Sequence, residues 1–350
     1  MSEPRRLGLS APGILFDGRW LESGGRRNVL GLARVAQEVV RRLPPLEWLH
    51  PRLPLLHPAE SLWLTAELAR RRPRLFYSPG YNAPPTCPVP FVFTIFDLIH
   101  LHVEEYRSAR RRLYYAVHVK PAVRRARAVL TGSSYSRSRI VEWSGVDADR
   151  VIVIGGAAGE RFTSDGDTHR PGYPYLLYVG NRKPHKNLVR LVSALARIEE
   201  RAALRLVLSG PAERDLIALA RTVGVHDRIE FLGNVPEERL PAIYRGAVAF
   251  VFPSLYEGFG LPPLEAMACG TPVVSSLATS LAEVVGNAAV AIDPLDVDSI
   301  AAGIDQVVGD EQLRRELRSR GFAQAARFSW DDTAQRTWTA LQESLEGGRS

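Results

Sequence analysis

The sequence predicts an α/β protein of two domains, in which helices cover both faces of doubly wound parallel sheets. A chain of 350 residues is too long for one ordinary hydrophobic core. In residues 172–330, short apolar segments alternate with helix-compatible stretches, the pattern of a parallel sheet. Residues 163–172 are polar, contain Gly and Asp, and lack periodicity. We therefore expect a first domain over 1–165, a linker, and a second domain over 172–330.

The first domain opens with a strand-like segment, Leu7–Phe16, and a glycine-containing loop leads from it into a helical pattern at Val29–Arg42. The remaining elements of this half are, in order, two buried strands within residues 75–101, an Arg-rich helix over 108–127 that bends at Pro121, a strand that ends at Thr131, and a helix capped by Ser133 or Ser134. These elements again alternate between strand and helix.

The second domain has six apolar segments of strand length, each followed by a helix-compatible stretch. The predicted strands are Tyr175–Gly180, Leu204–Gly210, Ile229–Val235, Val248–Ser254, Pro272–Ser275 and Ala288–Pro294. There is no G-x-G-x-x-G followed by an acidic residue at ribose spacing, so the fingerprint of a dehydrogenase is missing.

Charge is divided unevenly between the two halves. Residues 1–165 carry 25 basic and 15 acidic residues, a net charge of +10, whereas residues 166–350 have a net charge of −3. The first half is therefore expected to meet an anionic partner. Neither zinc-ligand spacing nor an RNA-binding signature points to nucleic acid, so an anionic membrane surface or a lipid phosphate is favoured. The Arg-rich segment 108–127 is either a membrane-facing helix or a solvated face.

Composition and cysteine use indicate a cytoplasmic protein. Apolar residues make up 45% of the chain and charged residues 24%, which is typical of a globular protein. Cys87 and Cys269 lack metal-ligand spacing and suit buried thiols in a reducing compartment. No signal peptide is recognisable at the start of the sequence. We expect a cytoplasmic protein that can lie on the cytoplasmic face of the inner membrane.

The segment YEGFGLPPLEAMACGTPVV, residues 256–274, is the most informative motif. Two carboxylates, Glu257 and Glu265, flank a Gly-rich turn that leads into a helix with Pro262 and Pro263 at its start. Proline is tolerated there because its missing N–H would have no partner within the helix. Exposed amides beside carboxylates suit a polyhydroxylated ligand, since the amides donate to hydroxyls and the carboxylates accept from them.

A second motif, YLLYVGNRKPHKNL, lies at residues 175–188. A strand-like run ends at Gly180, a basic loop with Arg182 and Lys186 follows, and Asn187 is a candidate N-cap for the next helix. Two of the three lysines in the chain lie in this loop. A helix N-terminus and nearby cations attract anions, so the loop is expected to bind phosphate.

Together these segments resemble the retaining glycosyltransferases of family 4, also called glycosyl transferases group 1, along nearly the whole chain. The other segments that carry the resemblance are SGGRRNVLGLAR, TIFDLIHL, LTGSSYSRSRIVE and FSWDDTA. The resemblance implies the GT-B architecture, two Rossmann-like domains that face each other across a cleft. It also implies that the donor binds the second domain and the acceptor the first, and that a C-terminal helix at about 331–350 packs back on the first domain.

By this resemblance the reaction moves a hexose or deoxyhexose from a nucleotide-diphosphate sugar to a glycan, glycolipid or lipid-linked acceptor. The anomeric configuration is retained, and no metal ion or other cofactor is required. Negative charge grows on the departing diphosphate, where Arg182, Lys186 and the helix N-terminus stabilise it. Glu257 then holds a hydroxyl of the transferred sugar and does not act as a hydrolase nucleophile.

The resemblance also assigns the remaining site residues. Glu265 is implied to bind the ribose hydroxyls, and Asp97 is counted among the catalytic residues. The other substrate-binding residues are Gly25 and Gly180 near the donor phosphates, Ser209, Gly210 and Val235 near the nucleobase, and Phe259, Gly260 and Leu261 near the sugar.

Two positions depart from the family pattern. Phe96 stands where many relatives have a histidine that contacts the sugar, and Ala33 stands where a second glycine is common. Phe96 is either core packing or a residue of an altered sugar subsite. Three alternatives therefore stay open: a glycosyltransferase, another GT-B enzyme such as an epimerase or a phosphorylase, and a catalytically silent scaffold that binds sugar nucleotides.

Overall fold

The computed structural model describes residues 13–22, 30–50, 53, 57, 59–81, 86–198 and 204–347. The chain forms two compact units: Met1–Gly156 with Ser329–Ser350, and Ala157–Phe328. The boundary between the units, after Gly156, comes before the predicted linker at residues 163–172, because Phe162 is buried in the core of the second unit. Gly25 and most of the loop before the second helix lie outside the described residues.

The first unit contains a six-stranded parallel sheet in the order β2-β1-β3-β4-β5-β6. Its strands are β1 (Ile14–Asp17), β2 (Glu47–Leu49), β3 (Leu75–Ser78), β4 (Phe91–Thr94), β5 (Ala128–Thr131) and β6 (Val151–Val153). Its helices up to this point of the chain are α1 (Arg19–Glu22), α2 (Leu30–Arg42), α3 (Glu60–Arg71), α4 (Ile99–His102), α5 (Ala109–Tyr114), α6 (Lys120–Arg125) and α7 (Ser134–Ser144).

The Arg-rich segment is helical throughout residues 109–125, as expected, but one of its turns is irregular. A π-helical turn at Tyr115–Val119 separates α5 from α6. Pro121 follows this turn, and because the residues before it are also helical, its missing N–H interrupts the hydrogen-bond ladder there. Ser133, not Ser134, caps α7, since its side chain accepts a hydrogen bond from the Ser136 amide.

A buried ionic network lies where β1 and β3 end. The Arg19 guanidinium donates to both carboxylate oxygens of Asp17, at 2.6 Å each, and to Glu60 Oε1 at 2.7 Å. Ser78 donates to Asp17 Oδ2 at 3.0 Å. Asp17 and Arg19 are 0% and 1% exposed, so this is a charge cluster without solvent. Two carboxylates and one guanidinium hold the first turn after β1 to the end of β3 and the start of α3.

The second unit contains another six-stranded parallel sheet, in the order β12-β11-β10-β7-β8-β9. Its strands are β7 (Tyr175–Tyr178), β8 (Arg205–Leu208), β9 (Ile229–Phe231), β10 (Ala249–Phe252), β11 (Val273–Ser276) and β12 (Ala289–Ile292). Its helices are α8 (Leu188–Leu195), α9 (Arg214–Thr222), α10 (Leu240–Gly246), α11 (Leu261–Ala268), α12 (Leu281–Val285), α13 (Val297–Gly309) and α14 (Glu311–Ala325). This strand order is that of a Rossmann sheet, whose direction of winding reverses between β7 and β10.

The last helix, α15 (Trp330–Leu345), belongs to the first unit although it follows the second in sequence. Ser329 caps it, and Asp331 in its first turn accepts from Arg42 Nε at 2.7 Å. Trp338 and Leu341 of this helix are buried at 4% and 0% exposure. The helix packs on α2 and on β3–β5, and it closes the hydrophobic core over the sheet.

Candidate active site

The point where the second sheet reverses its winding brings the two C-terminal motifs together. In open α/β sheets, ligands bind outside the carboxyl ends of the strands at such a point. The basic loop follows β7 and the acidic motif follows β10, and these strands are neighbours. Lys186 Nζ lies 2.6 Å from Glu257 Oε1, and the two side chains are 11% and 12% exposed. The structure therefore pairs two residues that are 71 positions apart in the chain.

The backbone around Lys186 is held rigidly. Pro184–Lys186 form a 3₁₀ turn, and Leu255 donates its amide to the His185 carbonyl at 2.7 Å. Asn187 has a left-handed backbone (φ 62°) and begins α8 without capping it. Instead, its amide group donates to the carbonyls of Pro253 and Pro294 at 3.0 and 2.6 Å. The expectation that Asn187 caps the helix is wrong, because its Oδ1, the atom that would cap, accepts from Arg190 Nη1 at 2.9 Å and not from a helix amide.

Hydroxyl groups fix the loop that carries Glu257. Thr279 Oγ1 accepts from the Glu257 amide at 2.9 Å and donates to its carbonyl at 3.0 Å. Ser280 donates to the carbonyls of Glu257 and Phe259 at 2.9 and 3.0 Å. Thr279 has φ 58°, a conformation that costs a β-branched residue energy and is common at functional sites. Sequence reasoning missed this pair; an Ala-Thr-Ser run before an apolar helix was its only signal.

Gly260 lets the motif turn into α11. Its φ is +113°, which disfavours any side chain, and a Cβ there would lie 2.7 Å from Leu281 Cδ2. Leu261 is the first residue of α11, and because Pro262 and Pro263 lack N–H groups, its amide is the one donor among the first three residues of this helix. Phe259 packs edge-on against Phe328, with ring centroids 5.7 Å apart. The predicted sugar-binding residues are thus adjacent to the Lys186–Glu257 pair in one rigid turn.

Arg182 points to a different part of the same sheet edge. Its guanidinium donates to the Ser209 carbonyl at 2.8 Å and to the Pro211 carbonyl, and it stacks on the Phe231 ring at 5.0 Å. Its Nε is buried and has no hydrogen-bond partner among the described residues. Burial lowers the pKa of Arg182 from its usual value, against the opposing effect of Glu213. Arg182 therefore lies with the predicted nucleobase residues and not with Lys186.

The ends of β7, β8 and β9 also meet. The Gly180 amide donates to Ser209 Oγ at 3.1 Å, and Gly210 exchanges two backbone hydrogen bonds with Gly233 at 2.7 and 3.1 Å. Gly180 has φ +154°, and a Cβ there would lie 2.8 Å from the Tyr178 hydroxyl. Val235 is partly buried against the core.

Glu265, the second acid of the motif, is buried in α11 at 3% exposure. Tyr244 in α10 donates its hydroxyl to Glu265 Oε2 at 3.0 Å. Sequence reasoning missed Tyr244 as well. Its only signal is an aromatic residue in the helix before the motif.

The predicted residues of the first unit lie after β4. Asp97 Oδ1 accepts from the Ile99 amide at 3.0 Å, just before the short helix α4. Phe96 is half-buried. Burial lowers the pKa of His102 from its usual value, with help from Arg139 and Arg107. Among the described residues, no three His, Cys, Asp or Glu side chains gather as metal ligands do, and no helix is long and apolar enough to span a membrane.

His185 makes the stability of the second unit depend on pH. Burial, with smaller contributions from Lys186 and Lys183, lowers the pKa of His185 from 6.5 to about 3. An imidazole with a depressed pKa stabilises the fold above pH 6.5, and that stability is lost as the pH falls towards 3. We expect the free energy of unfolding to fall with decreasing pH less steeply in His185→Asn than in the wild type, by up to about 1.4 kcal/mol per pH unit.

Urea unfolding followed by circular dichroism between pH 4 and pH 7, roughly the window in which the imidazole titrates in the unfolded chain, measures this difference. Because both proteins share every other titrating group, parallel slopes for the two would contradict the prediction.

The two sheets and the paired motifs define a glycosyltransferase of the GT-B class. Sucrose-phosphate synthase from Thermosynechococcus elongatus shares the fold at a TM-score of 0.78 and 18% identity, over 97% of this chain and 100% of that one. The family profile described as Glycosyl transferases group 1 matches residues 161–324, and that of Glycosyltransferase Family 4 matches residues 23–157. This chain therefore belongs to the glycosyltransferases of family 4, also called glycosyl transferases group 1.

Two curated proteins are similar to this chain in sequence. The chain is 36% identical to the O-antigen chain mannosyltransferase B of Escherichia coli over 82% of this chain and 78% of the relative. It is 34% identical to the serotype-specific mannosyltransferase WbdA of Escherichia coli over 60% of this chain, which is only 28% of that longer protein. The expected family and fold class are thereby confirmed.

Proposed function

We propose that this glycosyltransferase moves a hexose or deoxyhexose from a nucleotide-diphosphate sugar to a glycan, glycolipid or lipid-linked acceptor in cell-surface polysaccharide synthesis. It acts at the cytoplasmic face of the membrane. The Lys186–Glu257 pair at the reversal point of the second sheet carries this proposal, because it places a cation and a hydroxyl acceptor side by side. Mannose and its deoxy derivatives are the first candidates for the transferred sugar, since the E. coli relatives are named mannosyltransferases.

The reaction breaks the bond between the anomeric carbon and the phosphate oxygen, and the bonding electrons pass to the diphosphate. The ammonium of Lys186 and the amide of Leu261, the first residue of α11, stabilise that charge. The acceptor oxygen bonds to the anomeric carbon from the face that the diphosphate leaves. Because the new bond forms on the same face as the broken one, the configuration is retained. The proton of the acceptor hydroxyl passes to the leaving phosphate oxygen.

Glu257 has an orienting role in this scheme. Its carboxylate is bound to Lys186 at 2.6 Å, and a carboxylate paired so closely is a poor nucleophile. It accepts a hydroxyl of the transferred sugar and holds the anomeric carbon over the acceptor. With Lys186 as the source of positive charge, the scheme requires neither a metal ion nor another cofactor.

A donor panel tests the proposal. UDP-, GDP-, dTDP- and ADP-sugars are incubated with the protein, and nucleotide release is measured with and without lipid-linked glycan acceptor and with EDTA. We expect release from one donor that depends on the acceptor and persists in EDTA, and NMR shows a product with the configuration of the donor. An epimerase would change the sugar without acceptor, and a silent scaffold would bind nucleotide without releasing it.

Phe96 is expected to alter the sugar subsite, not to abolish activity. A phenyl ring cannot accept a hydrogen bond from a sugar hydroxyl, so a hydroxyl forced against it would lose solvent without a partner. The wild type should prefer a deoxyhexose donor over its matched hexose by roughly tenfold or more, and Phe96→His should reverse that preference. Paired kcat/KM values measure this. An inactive wild type with an active Phe96→His would instead support the silent scaffold.

The membrane surface is proposed to meet α5 and the π turn. Leu113 and Val117 are 64% and 52% exposed and lie four residues apart, next to the exposed arginines 110–112. Apolar side chains among arginines suit an anionic interface. In a sedimentation assay, the fraction of protein bound to anionic vesicles should fall as the salt concentration rises, and it should be lower in the double variant Leu113→Asp/Val117→Asp. Val189→Asp, which changes a 60% exposed valine of the second unit, is the matched control. Equal binding to neutral vesicles would contradict the proposal.

A further inference from the structure

A buried tyrosine, Tyr244, donates a hydrogen bond to Glu265, the second acid of the motif at residues 256–274. We infer that Tyr244 is a positioning residue: its hydroxyl fixes Glu265, and the carboxylate held in this way binds the ribose hydroxyls of a nucleoside diphosphate. The inference deepens the proposed function and rests on it. Tyr244 and Glu265 are 0% and 3% exposed, and their oxygens are 3.0 Å apart.

Tyr244 is itself immobile. Its ring packs edge-on against Phe250 and Phe162, with centroids 5.5 and 5.8 Å apart. Thr271 Oγ1 donates to the Tyr244 carbonyl at 2.6 Å. The aromatic contacts and this hydrogen bond fix α10 and the direction of the hydroxyl, so the position of Glu265 Oε2 is set before any ligand arrives.

Fixing the carboxylate in advance favours ligand binding. A free glutamate has three side-chain torsions and loses that freedom when it binds, whereas Glu265 has lost it on folding. An ionised carboxylate offers about four lone-pair sites, so accepting from Tyr244 leaves capacity for ribose hydroxyls. Its burial also reduces competition from water and strengthens each hydrogen bond.

A merely structural hydroxyl would behave differently, and the same unit contains one. Tyr175 is buried at 1% exposure and donates to the Ile243 carbonyl at 2.7 Å. Tyr175→Phe therefore also removes a buried tyrosine hydrogen bond, but the acceptor is a backbone carbonyl and not the Glu265 carboxylate. Tyr175→Phe is the matched control for Tyr244→Phe.

The test measures nucleotide affinity and kinetics together. Titration calorimetry with UDP, GDP, dTDP and ADP identifies the nucleotide that binds the wild type. For that nucleotide we expect Tyr244→Phe to raise Kd roughly tenfold, and to raise the donor KM without changing kcat. Tyr175→Phe should leave Kd, KM and kcat at wild-type values. In a Glu265→Ala background, which has no side-chain acceptor for the hydroxyl, Tyr244→Phe should cause no further loss, because its effect passes through the carboxylate.

Three results would overturn the inference. Wild-type affinity in Tyr244→Phe would show that the hydroxyl does not act on the ligand. Equal losses in both tyrosine variants would show a general effect of buried hydroxyls, and additive losses with Glu265→Ala would exclude action through the carboxylate. If the wild type binds none of the four nucleotides, the proposed function fails as well, which separates that failure from the other three.

Discussion

Lys186→Ala should lower turnover by roughly a hundredfold or more, the cost of removing one preorganised group that stabilises developing charge. Lys186 stands at the reversal point of the second sheet with its ammonium 2.6 Å from Glu257. No other cation takes part in that contact among the described residues, since Arg182 is bound to the carbonyls after β8. Nucleotide release from the preferred donor, measured at saturating acceptor, gives the effect.

Lys183→Ala is the control for this experiment. It removes the same charge from the same loop, three residues from Lys186 and outside the ion pair with Glu257. We expect it to change turnover by less than about threefold, because a charge that is not aimed at the leaving group contributes only through the long-range field. Near-normal turnover in Lys186→Ala, or equal losses in the two variants, would refute the assigned role.

Arg19→Ala should destabilise the first unit by about 3–5 kcal/mol, because it removes the guanidinium that is paired with the buried carboxylates of Asp17 and Glu60. Arg19 is 1% exposed, so solvent cannot replace it. Its stack on Trp63, at 5.6 Å from the ring, is lost as well. Urea unfolding followed by tryptophan fluorescence measures this directly, since all six tryptophans of the chain belong to the first unit.

Arg41→Ala supplies the comparison. Arg41 pairs with Glu38 at 3.4 Å, but its side chain is 43% exposed, and pairs of this kind contribute less than about 1 kcal/mol. A loss of stability in Arg19→Ala no larger than in Arg41→Ala would mean that the buried network contributes little.

The sequence predicted the features that depend on local pattern. Alternating apolar segments and helices indicated the doubly wound second domain, and its six strands form one parallel sheet as expected. The nearness of Lys186 and Glu257 could be expected because both motifs follow strands, and carboxyl ends of parallel strands meet at one edge. The roles assigned to the site residues stay predictions.

Long-range side-chain geometry lay beyond the sequence. Asn187 has the residue type of an N-cap, but its NH2 group is held by the carbonyls of Pro253 and Pro294 from distant segments, and its Oδ1 accepts from Arg190. Arg182 similarly turns to Ser209 and Phe231, which only the folded sheet brings within reach. No pattern along the chain records such competition between partners.

The placement of α15 has a consequence for synthesis on the ribosome. The first unit is interrupted by the whole of residues 157–328, and its last helix is made only afterwards. At about 5–20 residues per second, the inserted unit takes roughly 10 to 35 seconds to translate. Throughout that interval the face of α2 and β3 that α15 later covers lacks this helix. The second unit can therefore fold completely before the first unit does. In the meantime, chaperones or a neighbouring nascent chain can reach the uncovered face of the first unit.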